Sequence, residues 1–235
     1  MGSELPRESS DTLDKPVASG SDCYSSFERD AMAISRQGRA YLFGPLLRLL
    51  NAWYVTPDHL TMLGLIAGLA FCPLYFWWQP AALFALSLHV LLDGLDGPLA
   101  RLKATDSRSG SFTDTVADQI VVAATTITLM FAGALSPTAG GAYIFFYTVV
   151  VAFAMVRNSL AVPYSWLFRP RFLVFAWLIA ELWLWPGSIE YVVWGCNIIL
   201  AGKMISGFVR IRKRLATCSQ QRLFNQFPRP TLHRD

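Results

Sequence analysis

Leu92-Asp93-Gly94-Leu95-Asp96-Gly97-Pro98-Leu99-Ala100-Arg101 carries two acids three residues apart, and Gly110, Asp114 and Asp118 follow soon after. The surroundings make these acids unusual. Of 235 residues, 54% are apolar and only 15% are charged, against ~25% charged in soluble domains. Disorder needs low hydrophobicity and high charge, so a disordered chain is excluded, and an ordinary soluble domain fits poorly. At about 20 apolar residues per crossing, six crossings take roughly 120 residues, close to the apolar share. The predicted fold is all-α: a polytopic membrane protein with six transmembrane helices preceded by an interfacial amphipathic helix.

The apolar stretches run at 59–78, 81–101, 112–134, 141–162, 172–186 and 189–209, the fifth being the shortest. Breakers separate them: Gln79-Pro80, Ser136-Pro137, Arg169-Pro170 and Pro186-Gly187. With the N-terminus placed in the cytoplasm, the loops at 79–80, 135–140 and 186–190 fall outside and hold no Lys or Arg. The inner segments hold Arg101, Lys103, Arg108, Arg157, Arg169, Arg171 and the run Arg210, Arg212, Lys213, Arg214. This positive-inside asymmetry supports an even number of spans with both ends inside. Trp77, Trp78, Trp183 and Trp185 gather at the outer ends, as an aromatic belt does.

Outside the 53–212 transmembrane domain, the polar tail 1–26 is expected to be disordered. Residues 27–51 mix Arg29, Arg36, Arg39 and Arg48 with apolar side chains and read as a juxtamembrane amphipathic helix with a break near Gly44-Pro45; a plain cytosolic helix is the other reading. The basic tail 213–235 is polar and expected to be mobile from 215 on. No signal peptide or myristoylation pattern opens the sequence. Cys23, Cys72, Cys196 and Cys218 are far apart and read as reduced thiols. The net charge of +4 is accounted for by the inner basic residues, so no nucleic-acid partner is expected.

An ionisable residue at mid-membrane costs ~2.5–3.5 kcal/mol on the insertion scale, less near the interface. Four acids together would also repel one another, and a divalent cation offsets both effects. Asp93 and Asp96 share one helix face, as do Asp114 and Asp118 on the next helix. The short connection 102–111 predicts antiparallel neighbours whose carboxylates converge across one gap. All-oxygen ligation favours Mg²⁺ or Mn²⁺. Mg²⁺ completes its shell with water and phosphates, so the pattern points to a phosphate-bearing ligand. Gly97 and Gly110 leave room for such a group at the backbone, and Arg101 offers it a planar fork. The glycines could equally serve close helix packing, and Arg101 could simply mark the inner boundary.

Asp93, Asp96, Gly97, Ala100, Arg101, Gly110, Asp114 and Asp118 fit the pattern D-x2-D-G-x2-A-R-x8-G-x3-D-x3-D without a gap. Eight fixed positions match by chance roughly once in 10¹⁰ starts. The pattern resembles the signature of the CDP-alcohol phosphotransferase family, in particular its phosphatidylglycerophosphate and phosphatidylinositol-phosphate synthases. The resemblance implies six transmembrane helices, a homodimer, and transfer from a CDP-linked lipid donor to a polar alcohol acceptor with release of CMP. It implies that Asp93, Asp96, Asp114 and Asp118 bind two divalent ions, Mg²⁺ or Mn²⁺, and that Asp118 is also the general base. Gly97, Arg101, Ser107 and Gly110 would face the CDP moiety. The segment Thr56-Pro57-Asp58-His59-Leu60-Thr61 resembles the family's entry to the first span and would bring Asp58 and Thr61 near the cytidine.

The chain is short and has no stretches beyond six, which favours CDP-diacylglycerol with a small acceptor over CDP-choline or CDP-ethanolamine with a diacylglycerol. Arg157, Lys203 and Arg210 could bind an acceptor phosphate; positive-inside charge with snorkelling stems explains them equally. Gln119 and Thr113 depart from the Lys or Arg and the Leu usual in those synthases. His89, one turn before Asp93, reads as a hydrogen-bonded packing residue, and Asn158 and Asn197 as interhelical hydrogen-bonders. A membrane cation carrier and a catalytically silent scaffold are the rival functions. All four acids lie toward one membrane face, which argues against a carrier, and a scaffold has no reason to keep them.

Overall fold

The computed structural model describes residues 43–105, 107–160 and 169–226. The tail 1–26, most of the expected amphipathic helix, and the last nine residues lie outside the described residues. Among the described residues there are helices and turns and no strand. In chain order they are α1 (43–52), α2 (Pro57–Trp77), α3 (Gln79–Leu102), α4 (Arg108–Phe131), α5 (Pro137–Ser159), α6 (Pro170–Trp183) and α7 (Ile189–Gln226).

Local chemistry sets the helix starts. Thr56 caps α2 in a capping box with His59, and Pro57 occupies the first turn, where its missing N–H is no loss. Ser107 caps α4 by accepting from the Gly110 N–H at 3.0 Å. Pro80, Pro137 and Pro170 stand at the starts of α3, α5 and α6. Pro98 lies inside α3 and lacks the N–H that would reach the Gly94 carbonyl, so the ladder is interrupted beside the acids. Gly187 takes the left-handed backbone (φ +87°) that the turn before α7 requires.

Among the described residues five helices, α2 to α5 and α7, are long and apolar enough to cross a membrane, giving an all-α polytopic membrane protein. The fifth of the six expected spans is different. It forms α6, only 14 residues long, or about 21 Å at 1.5 Å per residue, short of a ~30 Å hydrocarbon layer. Pro170 fixes its start, and Pro186-Gly187 follows its end. The last helix overruns expectation: it continues past 212 to Gln226, because no proline interrupts the chain before Pro228. The basic run Arg210 to Arg214 is therefore helical and mostly exposed.

The main core gathers Phe71, Leu86, Val121, Leu129, Tyr143, Val150, Leu178, Val193 and Leu200 from α2 to α7. A smaller cluster joins Leu47 of α1 to Leu60, Leu95 and Leu99. The described end of the expected amphipathic helix thus docks one face on α2 and α3, while Leu49 points outward.

Contacts fix the register. α2 packs on both α3 and α4, whereas α3 and α4 scarcely approach each other backbone to backbone. The acids of α3 and α4 converge across a gap, as expected, while α2 forms the common wall of the two helices, and its Gly64 and Gly68 permit the approach. A Cβ on Gly64 would sit 3.5 Å from the Leu92 Cβ, and one on Gly68 only 2.5 Å from a Val121 methyl. α5 and α7 run parallel: the Asn197 amide donates to the Ala139 carbonyl at 3.0 Å, and Gly207 packs on Phe153. The Asn197 reading holds, and the Asn158 side chain is outside the described set. At one end of the bundle, Glu190 accepts from the Ser136 N–H and hydroxyl at 2.8 and 2.6 Å, and Glu181 accepts from the Gly187 and Ile189 N–H groups at 2.5 and 2.8 Å.

Candidate active site

The acids lie at the opposite end of the bundle. Asp96 is six residues before the end of α3, and Asp114 is six residues into α4. Thr61 is in the second turn of α2, and Arg171 is the second residue of α6. Four helices therefore deliver polar groups to the same end of the bundle, with Asp96 and Asp114 about 9 Å and Asp93 and Asp118 about 14–15 Å inside the ends of their helices at 1.5 Å per residue.

Carboxylate oxygens of Asp93, Asp114 and Asp118 lie within 4.8 Å of one another. With Asp96 they line one cleft, completed by Thr61, Gly64, His89 and Ala117. Asp96 is the most buried of the four acids and is held differently. Thr61 donates its hydroxyl to Oδ2 at 3.1 Å, and the Gly97 N–H meets Oδ1 at 2.6 Å. Each carboxylate oxygen has two lone pairs, so these bonds orient Asp96 without using up its acceptor capacity. An all-oxygen set of clustered carboxylates suits a hard divalent cation such as Mg²⁺ or Mn²⁺.

His89 is 3% exposed. Its Nδ1 lies 3.0 Å from the Gly64 carbonyl, which can only accept, so Nδ1 carries a proton. Nε2 then faces Asp118 at 3.8 Å. The packing reading holds for the α2–α3 seam, and the ring also borders the acids.

Sequence reasoning missed Arg171 as a site residue. Its guanidinium, 2% exposed, donates to Asp93 Oδ2 at 2.7 Å and pairs with Asp118 Oδ2. In sequence it is one of several arginines at inner span ends, and the positive-inside pattern absorbs it. The Gly64–Gly68 spacing was legible as a small-xxx-small packing motif in an apolar run and went unread.

The other predicted residues are spread around the cleft. Thr61 lines it, whereas Asp58 is exposed in the first turn of α2 and is not among its lining residues. Arg101 is exposed and bends over Gly97, whose missing Cβ would stand 3.5 Å from its Nη1. Ser107 and Gly110 form the α4 cap at the cleft's end of the bundle. Arg157 is buried at the end of α5, Lys203 is half-buried on α7, and Arg210 is exposed. The parallel α5–α7 register puts Arg157 near the level of Arg210, with Lys203 farther from that end. Gln119 donates to the Thr148 hydroxyl at 2.6 Å, tying α4 to α5. Cys72 and Cys196 are free thiols, as expected; the side chains of Cys23 and Cys218 lie outside the described set.

The sequence pattern of the CDP-alcohol phosphatidyltransferase family matches residues 54–204. A CDP-diacylglycerol–serine O-phosphatidyltransferase from Mycobacterium leprae is 32% identical over 105 residues, 44% of this chain and 35% of that protein. A phosphatidylinositol phosphate synthase from Cutibacterium acnes is 36% identical over 104 residues, 42% of this chain and 49% of that protein. The chain thus spans between about a third and a half of the length of these curated relatives. The crystal structure of Mycobacterium tuberculosis phosphatidylinositol phosphate synthase with CDP-DAG bound shares the fold, with a TM-score of 0.62 at 20% identity over 71% of this chain and 92% of that one. A second structure of that enzyme, in complex with manganese and citrate, gives the same TM-score over 87% of its chain. The family match takes in all four acids and Arg171 and well over half of the sequence, and the chain belongs to the CDP-alcohol phosphatidyltransferase family.

Proposed function

We propose that this protein transfers a phosphatidyl group from CDP-diacylglycerol to the hydroxyl of a small polar alcohol and releases CMP. The observation that carries the reading is the convergence of Asp93, Asp114 and Asp118 on one cleft, with Asp96 beside them. These four acids would hold two divalent ions, Mg²⁺ or Mn²⁺. Bound there, the ions would supply positive charge to the donor pyrophosphate and to the departing CMP.

The chain's own residues do the rest. Asp118 takes the proton from the acceptor hydroxyl, because a protonated alcohol is a poor nucleophile. The acceptor oxygen bonds to the lipid-side phosphorus, and the bond from that phosphorus to the oxygen bridging to CMP breaks. Thr61 and the Gly97 N–H fix Asp96. Gly97 and Gly110 keep the cleft end open to the nucleotide, Arg101 and Ser107 offer donors to its phosphates, and Asp58 with Thr61 faces the cytidine. Arg157, Lys203 and Arg210 form the acceptor side, which suits a phosphorylated alcohol. The site end faces the cytoplasm, where the basic residues gather, and the protein works as a homodimer.

The test is an acceptor panel. Purified protein with CDP-diacylglycerol and Mn²⁺ is offered glycerol 3-phosphate, inositol, inositol phosphate and serine in turn, with CMP as readout. CMP release that needs both metal and one acceptor is expected, and a chelator abolishes it. No CMP from any pairing, including CDP-choline with diacylglycerol, would overturn the reading and favour a carrier or scaffold.

A further inference from the structure

Arg171 is the most buried charged side chain described. It enters from α6, while the carboxylates that it bridges come from α3 and α4. One guanidinium nitrogen reaches Asp93 Oδ2 and the other pairs with Asp118 Oδ2. Nε is buried with no hydrogen-bond partner among the described residues, and the face of the group lies 4.7 Å from the centre of the Phe172 ring. Polar tethering therefore comes from the two acids. A second pair of residues sets the α3–α6 register: the His89 and Phe175 rings meet edge to face at 6.4 Å, one turn along from Asp93 and Arg171. The antiparallel packing thus aims Arg171 into the acid cluster.

This geometry has a consequence for cation binding. Oxygens of Asp93, Asp114 and Asp118 crowd within 4.8 Å, and like charges that close repel strongly away from water. Arg171 supplies the opposing charge from within the protein. An incoming divalent ion would draw on two of the carboxylates that Arg171 engages, and it carries the same sign of charge.

We propose that Arg171 is the resident counter-cation of this site: it holds Asp93 and Asp118 together in the metal-free protein and competes with divalent ions for them, so that it sets metal affinity. It is a positioning residue and touches no reacting atom. Because α6 carries it, metal entry loosens the tie between α6 and the α3–α4 acids. The inference rests on the metal-binding reading of the same acids.

The experiment is Mn²⁺ titration of the purified full chain in detergent, with free Mn²⁺ followed by its electron paramagnetic resonance signal, beside thermal unfolding with and without the ion. Arg171→Met is expected to bind Mn²⁺ at least tenfold more tightly than wild type. Its metal-free form should unfold at lower temperature, and Mn²⁺ should raise its midpoint by more than it raises that of wild type. Equal or weaker Mn²⁺ binding by the variant would overturn the proposal, since a group that merely orients ligands would lose affinity on removal. Should Arg171→Met not fold, Arg171→Lys carries the test: it keeps the charge but reaches one carboxylate rather than two. A severalfold gain in affinity supports the competition, and an unchanged or weaker affinity refutes it. Failure of wild type to bind Mn²⁺ at all would instead sink the metal reading itself.

Discussion

Gly68 on α2 lies against Val121 on α4 so closely that a methyl group added to it would stand 2.5 Å from one Val121 methyl and 2.7 Å from the other. Valine has no long stem to swing aside, so the helices must part. Gly68→Ala is expected to destabilise the protein by about 1–3 kcal/mol, the range for overpacking. Val121→Ala removes both methyls and leaves only the residue's own Cβ, at 3.2 Å, to be accommodated. The double variant should be more stable than the sum of the two single losses predicts, which a double-mutant cycle on unfolding midpoints reads directly.

Thr61 governs Asp96 through one hydroxyl bond of 3.1 Å. A hydrogen bond to a charged group contributes about 1.5–3 kcal/mol. Thr61→Val keeps the shape and removes the donor. It should lower kcat/KM by roughly tenfold to a hundredfold if Asp96 must be fixed for turnover. Thr61→Ser restores the donor and should recover most of the rate.

Asp118→Asn leaves the size of the side chain unchanged but takes away the group assigned to receive the acceptor's proton. Turnover should disappear in protein that remains folded. A variant retaining a tenth of the wild-type rate excludes Asp118 as the essential base.

Glu181 is the control at the far end of the bundle. It accepts from the Gly187 N–H, the Ile189 N–H and the Ser188 hydroxyl, and its removal leaves the buried Ile189 N–H and the half-buried Ser188 hydroxyl without this partner. Glu181→Ala should lower stability by about 1–3 kcal/mol while the turnover of folded protein stays unchanged. A selective loss of turnover would mean that the two ends of the bundle communicate.

Much of this was readable from the sequence, for physical reasons. Periodic acids in an apolar background are conspicuous because burial of charge is so unfavourable, so Asp93, Asp96, Asp114 and Asp118 stood out. The breaks between spans at Pro80, Pro137 and Pro170 followed from prolines, which the structure puts at the helix starts. What escaped was pairing. The α3–α4 loop is short, yet α2 lies against both helices: the Gly64–Gly68 spacing marks a packing face, but which helices meet it shows only in the three-dimensional fit. Arg171 escaped because a boundary arginine and a buried one look alike in sequence. The brevity of α6 was half visible, since the fifth apolar stretch was already the shortest, and α7 overran because polar residues continue a helix as readily as apolar ones when no proline intervenes.

The position of the acids about 9–15 Å inside the helix ends matters for how the two proposed reactants would meet. A lipid donor whose phosphate entered the cleft from the side would keep its acyl tails among those of its neighbours. Under the proposed reaction that donor would stay in its leaflet while a water-soluble acceptor came from the open end of the bundle, so neither partner would have to cross the barrier that confines the other.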